Sequence, residues 1–271
     1  MMTAPRLTGL MVVSSLVSAM AGGLSAQEID VRADDRFGAL TWIQNSAEYR
    51  LLTEQTYRAA MTQLIVGLHD PNWSADEVQL ATGGFQEKKP AVILDCDETV
   101  LDNSAYNARN ILDGKPYSTD SWNAWCQEGQ AGAVPGSLEF VTSASGLGVS
   151  VFFVTNRRDV VKEATIKNLN DLGFSANEEN VLTKNEEMGR AGDKVSRRAM
   201  VAADHRIVLM IGDNMGDLCS GMDTLDSDER NRIAKEKRAL LGSRWIMLPN
   251  PVYGGWQRAL PSGQDALILS R

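Results

Sequence analysis

The sequence has few cysteines, little positive charge and no apolar run in its body long enough to cross a bilayer. Cys96, Cys126 and Cys219 admit one disulfide at most and leave a thiol over, so a disulfide framework is excluded, and their spacings do not suggest zinc. With 27 Lys and Arg against 35 Asp and Glu, the formal net charge is −8. That balance argues against a nucleic-acid polymer as partner, because neutralising a phosphate backbone needs clustered cations. A small anionic substrate stays open, since a local site can oppose the global sign. Internal repeats and low-complexity tracts are also missing. What remains is globular: 271 residues, 43% hydrophobic and 23% charged, enough for one large domain or one domain with an appendage.

The N-terminal 26 residues differ from the rest. A short start with one charge, Arg6, precedes an apolar, small-residue stretch from Leu7 to Leu24, then Leu24-Ser25-Ala26 and polar Gln27-Glu28. This reads as a cleaved secretory signal peptide. A membrane anchor fits less well, because Gly22-Gly23 and several serines break the stretch. None of the three cysteines lies near it to carry a lipid, so the expected location is periplasmic or secreted, with no membrane span after cleavage.

Residues 27–38 read as a polar lead-in, and apolar positions from Ala39 to about Leu68 recur at helical steps. Together with the polar stretch that follows, residues 27–90 form an N-terminal helical segment. "AVILD" (91–95), "VSVFFVT" (149–155), "NVLTK" (180–184), "RIVLMIGDN" (206–214) and "RWIMLPN" (244–250) read as strands. Apolar runs without alternation suggest strands covered on both faces. "RDVVKEATIKNLNDLG" (158–173) and "DSDERNRIAKEKRALLG" (226–242) read as helices between them. Strands alternating with helices predict an α/β fold with a parallel sheet flanked by helices. Residues 101–148 lack a strong strand and are expected to form a mostly helical insert within a core spanning 91–271.

Ligands of open parallel sheets bind beyond the carboxyl ends of the strands. Three strands here end in polar clusters: Asp95-Cys96-Asp97-Glu98-Thr99, Thr155-Asn156-Arg157, and Gly212-Asp213-Asn214-Met215-Gly216-Asp217. Asp95 and Asp97, two apart at a strand end, can reach one crevice, and Asp213 adds a third carboxylate. Three oxygen donors with open positions suit Mg²⁺. Thr155 offers a hydroxyl and Lys194 a point charge for phosphate oxygens, and the amides after Thr155 can hold an anion. Carboxylates, a metal and phosphate donors together suggest phosphoryl transfer with an Asp nucleophile.

Asp-x-Asp-x-Thr after an apolar strand, then a strand-end Thr, a Lys and Gly-Asp-Asn-x-x-Asp, resembles the haloacid dehalogenase superfamily. "DCDETVLDNSAYN", "SWNAWCQEGQAGAVPG", "VFFVTNRRD", "LMIGDNMGDL", "WIMLPNPVYGGW" and the helix "WIQNSAEYRLLTEQTYRAA" resemble one branch, the bacterial class C (lipoprotein e type) acid phosphatases and 5′-nucleotidases. The resemblance implies a Rossmann-like core with a helical cap and Mg²⁺-dependent hydrolysis of nucleoside 5′-monophosphates and aromatic phosphates. By the same resemblance, Asp95 matches the nucleophile and Asp97 the general acid and base. Thr155 and Lys194 match the phosphate-binding pair, with Asn156 beside them. Asp95, the backbone carbonyl of Asp97, and Asp213 match the metal ligands. Asp217 matches the fourth acid, supporting the metal shell or Lys194. Lys184 lies in the same interval, but the context "GDKVSRR" favours Lys194. Trp122 and Tyr253 match segments bordering the pocket, where a base could stack; Trp125 and Tyr106 fit that role less well. A homodimer is implied by the branch alone.

Two features depart from the branch. The lipid-bearing cysteine is missing, and Cys96 replaces a more usual apolar residue between the aspartates, where a thiol acts as a small hydrophobe. Glu98 and Asp102 are expected to serve the turn, and His69 and His205 match no motif. A different class of protein, an exported nucleotide- or phosphate-binding protein without catalysis, is the alternative; tight binding without turnover would mark it.

Overall fold

The structure is a computed structural model that describes residues 31–185 and 194–261. The signal-peptide expectation for residues 1–26 lies outside the described residues.

Five parallel strands form the sheet. β1 (Lys89–Leu94) is central, and β2 (Leu101–Asp102) and β3 (Gly132–Ala133) make a separate antiparallel pair beyond its end. β4 (Ser150–Arg158) and β6 (His205–Gly212) flank β1, with β5 (Val181–Lys184) and β7 (Trp245–Met247) at the edges, giving the order β5-β4-β1-β6-β7. Alternate residues of a strand point to opposite faces, and here both faces are covered. Val92 and Leu94 join a cluster with Tyr57, Leu64 and Phe140, whereas Ala91 and Ile93 join Val201, Leu218 and Trp245. That explains the unbroken apolar run. Each such side chain contributes roughly 1.5–3 kcal/mol by leaving water.

The expected long N-terminal helix is two helices, α1 (Phe37–Asn45) and α2 (Ala47–His69). Ser46 divides them: its backbone is extended (φ −86°, ψ 139°), and its hydroxyl accepts from the Tyr49 amide at 3.1 Å, capping α2. α2 belongs to the core, lying on β6; a Cβ on Gly67 would come within 2.6 Å of Val208 and 2.8 Å of Trp73. α3 (Glu77–Thr82), capped by Asp76, precedes β1. The insert contains α4 (Ser104–Leu112) and α5 (Thr119–Glu128) with the β2–β3 pair, while α6 (Ser137–Gly146) packs on α2 and β4 as a crossover helix of the core. α7 (Lys162–Asp171), α8 (Val195–Asp204) and α10 (Ser227–Glu236) connect the later strands; short α9 (Met215–Leu218) and α11 (Gly255–Arg258) follow β6 and β7. The charged helix expected over 226–242 ends at Glu236 and passes into turns.

Residues 31–36, expected as a lead-in, fold back as a helical turn and reach the cavity at the sheet's carboxyl edge. Leu40, Ile43, Tyr49, Ile111 and Val252 form a cluster that joins α1 to α4 and the loop after β7. Among the described residues no helix is long and apolar enough to cross a membrane. Cys96, Cys126 and Cys219 are buried and form no disulfide.

Candidate active site

β1 hands directly into the acidic loop. The Asp95 amide still pairs with the Ile211 carbonyl of β6 at 2.9 Å; after it the chain turns around the Cys96 carbonyl, which accepts from the Thr99, Val100 and Leu101 amides. Glu98 takes φ +56°, the one non-glycine residue with positive φ among those described, at a cost of about 1–2 kcal/mol. Its side chain is buried, with Oε1 accepting from the Asn103 amide at 3.0 Å, and burial pushes its carboxyl well above the usual range. From the other side, Tyr57 of α2 donates to the Thr99 carbonyl at 2.6 Å. The turn is thus held by both the core and the insert, which accords with a structural role for Glu98.

Asp95, Asp213 and Asp217 each place a carboxylate oxygen within 4.8 Å of the others. Lys194 pairs with Asp95 and, at 2.7 Å, with Asp217 Oδ1. Asp217 Oδ2 accepts from the Asn214 amide at 2.9 Å, closing a capping box at the start of α9, so both of its oxygens are engaged. Asp95 Oδ2 and Asp213 Oδ1 converge on one hydroxyl, Thr99 Oγ1, at 3.4 Å each. One hydroxyl proton cannot satisfy two carboxylates. Burial pushes Asp95 up to about 7 despite the pull of Lys194, and pushes Asp213 well up with the help of its acidic neighbours. A crowded all-oxygen set of this kind fits a hard divalent cation, which would relieve the repulsion.

The Asp97 carboxylate turns away from that group. It accepts from Arg157 and Asn103 and lies 3.4 Å from the Thr155 hydroxyl, so a metal-ligand role for Asp97 rests on its backbone carbonyl. Thr155 is fully buried beneath Asp97, and its hydroxyl accepts from the Arg157 amide at 3.0 Å; the member of its cluster that reaches the cavity is Asn156.

A cavity of about 660 Å³ opens over these groups. Asp95, Asp97, Lys194, Asp213 and Asp217 form its floor, and Trp122, Tyr253 and Tyr106 contribute aromatic wall. Trp125 does not line it; it is buried and donates from Nε1 to Asn103 at 2.8 Å. Asp34, Asp35 and Arg36 border the mouth.

Sequence reasoning missed Arg157, Asn103 and Asn250 as site residues. Arg157 was findable: strand alternation places it on the side of Thr155. Asn250 follows β7 and donates to Asp213 Oδ2 at 2.8 Å, so it sits at a strand end like the others. For Asn103 the sequence carries no such signal.

A central parallel strand that delivers Asp-x-Asp into a crevice, with further carboxylates from the next strand and a buried lysine, defines a haloacid dehalogenase-like protein. The family model for the haloacid dehalogenase superfamily, subfamily IIIB (acid phosphatase), matches residues 16–256, and the chain belongs to that family. Among solved structures, the class C acid phosphatase from Bacillus anthracis is similar with a TM-score of 0.72 at 34% identity, over 87% of this chain and 91% of that one. A second structure of that protein, with tungstate bound, matches equally. Acid phosphatase 1 of Solanum lycopersicum is 27% identical over 59% of this chain and 57% of its own length. The stem 28 kDa glycoprotein of Glycine max is 24% identical over 61% and 60%. The chain therefore matches less than two thirds of the length of these plant relatives.

Proposed function

We propose that this chain is an exported, Mg²⁺-dependent phosphomonoesterase acting on nucleoside 5′-monophosphates and aromatic phosphates through an aspartyl-phosphate. The observation that carries the reading is the convergence of Asp95, Asp213, Asp217 and Lys194 beside an Asp97 held apart from them. Asp95 is the nucleophile: its carboxylate forms a bond to phosphorus as the ester P–O bond breaks, and Asp97 gives a proton to the departing oxygen. Asp97 then takes a proton from water as that water attacks phosphorus, breaking the Asp95–phosphorus link and freeing inorganic phosphate. The sum is ester plus water to alcohol plus phosphate. General acid–base help of this kind is typically worth 10²–10⁴-fold.

Asp95, Asp213 and the backbone carbonyl of Asp97 would hold Mg²⁺, with Asp217 fixing Lys194. When bound, the ion supplies charge neutralisation between an anionic nucleophile and an anionic ester. In this reading Lys194 and Thr155, with Asn156 beside them, bind the phosphate oxygens; that Lys194 and Asn156 line the cavity supports it. The tungstate in the Bacillus anthracis relative supports an oxyanion site, since tungstate, like phosphate, is a tetrahedral oxyanion. The aromatic wall supports a substrate with a flat group, because a stacked base gains about 1–3 kcal/mol.

The test is phosphate release from a nucleoside 5′-monophosphate by the purified chain. Release with Mg²⁺ and its loss with chelator are expected. Release indifferent to chelator, or retained in Asp95→Asn, overturns the reading. Tight nucleotide binding with no turnover under any divalent metal would instead favour the binding-protein alternative.

A further inference from the structure

We propose that Arg157 is the positioning residue of the acid–base carboxylate, fixing Asp97 so that Oδ2, and not Oδ1, carries the proton to and from the reacting oxygens. The inference rests on the phosphomonoesterase reading above and adds to it a residue and an atom.

The two oxygens of Asp97 have different surroundings. Oδ1 accepts two hydrogen bonds, from Arg157 Nε at 2.9 Å and Asn103 Nδ2 at 3.0 Å, and Arg157 Nη2 lies 2.8 Å from it in the same ion pair. Two N–H donors, one of them from a permanent cation, occupy the lone pairs of that oxygen, and the adjacent positive charge opposes a proton there. The contact at Oδ2 is the Thr155 hydroxyl, at a long 3.4 Å. Asp97 borders the cavity, so Oδ2 is the oxygen free to face a leaving group.

Arg157 is itself fixed from several directions. It is 1% exposed. Nη1 lies 3.3 Å from the Thr165 hydroxyl of α7, and Nη2 donates to Asn103 Oδ1 at 3.1 Å. Trp125 of α5 donates to that same Asn103 oxygen, and the ring of Trp122 lies 5.6 Å from the guanidinium carbon. Strand β4, two helices and the start of the insert therefore set the direction of one carboxylate. Trp122 is also cavity wall, so the guanidinium is flanked by the proton carrier and by a residue that would border the leaving group. A lysine cannot reproduce this, because a point charge lacks the rigid fork.

The experiment compares kcat/KM for two esters of the full chain with Mg²⁺: phenyl phosphate, whose leaving oxygen needs a proton, and 4-nitrophenyl phosphate, whose leaving group departs readily as an anion. This constant reports the step in which the leaving group departs. Arg157→Met is expected to lower it by about 10²-fold on phenyl phosphate, the scale of general acid help, and by less than about tenfold on 4-nitrophenyl phosphate. Arg157→Lys should fall between. Asp97→Asn should show the same selectivity, and adding Arg157→Met to Asp97→Asn should cost little more, because the two act as one unit. Equal losses on both esters, or independent losses in the double variant, would assign Arg157 to folding alone and overturn the inference. Where Arg157→Met fails to give a native melting transition, Arg157→Lys and Asn103→Ala carry the same comparison. A wild-type chain inactive on both esters would overturn the phosphomonoesterase reading and this inference with it; an active one with unselective variants overturns the inference alone.

Discussion

Asn250 Nδ2 donates to Asp213 Oδ2 at 2.8 Å, while the same side chain's Oδ1 accepts from the Val252 and Tyr253 amides at 3.0 and 3.3 Å. Trp256 Nε1 closes on the Asn250 carbonyl at 3.0 Å. One amide thus orients a candidate metal ligand and ties down the loop that carries an aromatic wall residue. Partners of this kind set the direction of a ligating carboxylate.

Asn250→Ala is therefore expected to weaken Mg²⁺ binding about 10- to 100-fold, the usual range for loss of such a partner. Isothermal titration calorimetry with Mg²⁺ alone reads this without any turnover. Unchanged Mg²⁺ affinity would remove Asn250 from the metal site.

Gly212 ends β6 directly before Asp213, and a Cβ built on it would lie 2.4 Å from Asp217 Oδ2 and 2.5 Å from Asp217 Cβ. Gly212→Ala must push Asp217 away from Lys194 and from the Asn214 amide. A loss of roughly 1–3 kcal/mol of stability is expected from such overpacking, together with a marked fall in turnover. Thermal melts and initial rates check both; a variant matching wild type in both would show that Asp217 is not held as described.

Trp122→Ala is expected to raise KM for a nucleoside 5′-monophosphate about tenfold, within the 1–3 kcal/mol of a stacked base. KM for a small alkyl phosphate should move little, and Trp122→Phe should restore much of the nucleotide affinity. Parallel KM changes for both esters would place Trp122 in packing alone.

His205 opens β6 with its ring edge-on to Phe152 at 5.0 Å, and burial holds its pKa below the usual histidine value. A depressed pKa means that the unfolded chain binds the proton more readily, so stability present above pH about 6.5 is lost as pH falls through the folded value. His205→Gln should flatten this loss: the variant's melting temperature should gain on wild type between pH 7 and pH 5. A constant difference across that window would show that His205 does not titrate on unfolding.

Most of the sheet and most of the acids were legible because each strand is an unbroken apolar run ending in a polar cluster. Val92 and Leu94 face one layer and Ala91 and Ile93 the other, which is what such a run requires. The break at Ser46 was not legible: helical periodicity continues through it, and a serine hydroxyl that caps α2 competes with that pattern only locally. The insert's limit was obscured for a related reason, since α6 has the composition of its neighbours and only its packing on α2 and β4 makes it a core helix. Within the site, Asp95, Asp213 and Lys194 follow from strand ends and motif. Arg157 shares β4 with Thr155 and could be read from strand alternation, whereas Asn103 meets Asp97 through a contact between separate elements that leaves no spacing to read.

The measurement that bears most directly on the proposed chemistry is the mass of the Asp95-containing peptide after Asp97→Asn is mixed with 4-nitrophenyl phosphate and Mg²⁺ and quenched in acid. An aspartyl-phosphate mechanism predicts one added phosphoryl group on Asp95, because that leaving group departs without a proton while hydrolysis of the adduct lacks its base. It also predicts no adduct in Asp95→Asn. Nitrophenol release with no phosphoryl group on Asp95, or turnover that survives Asp95→Asn, would contradict it.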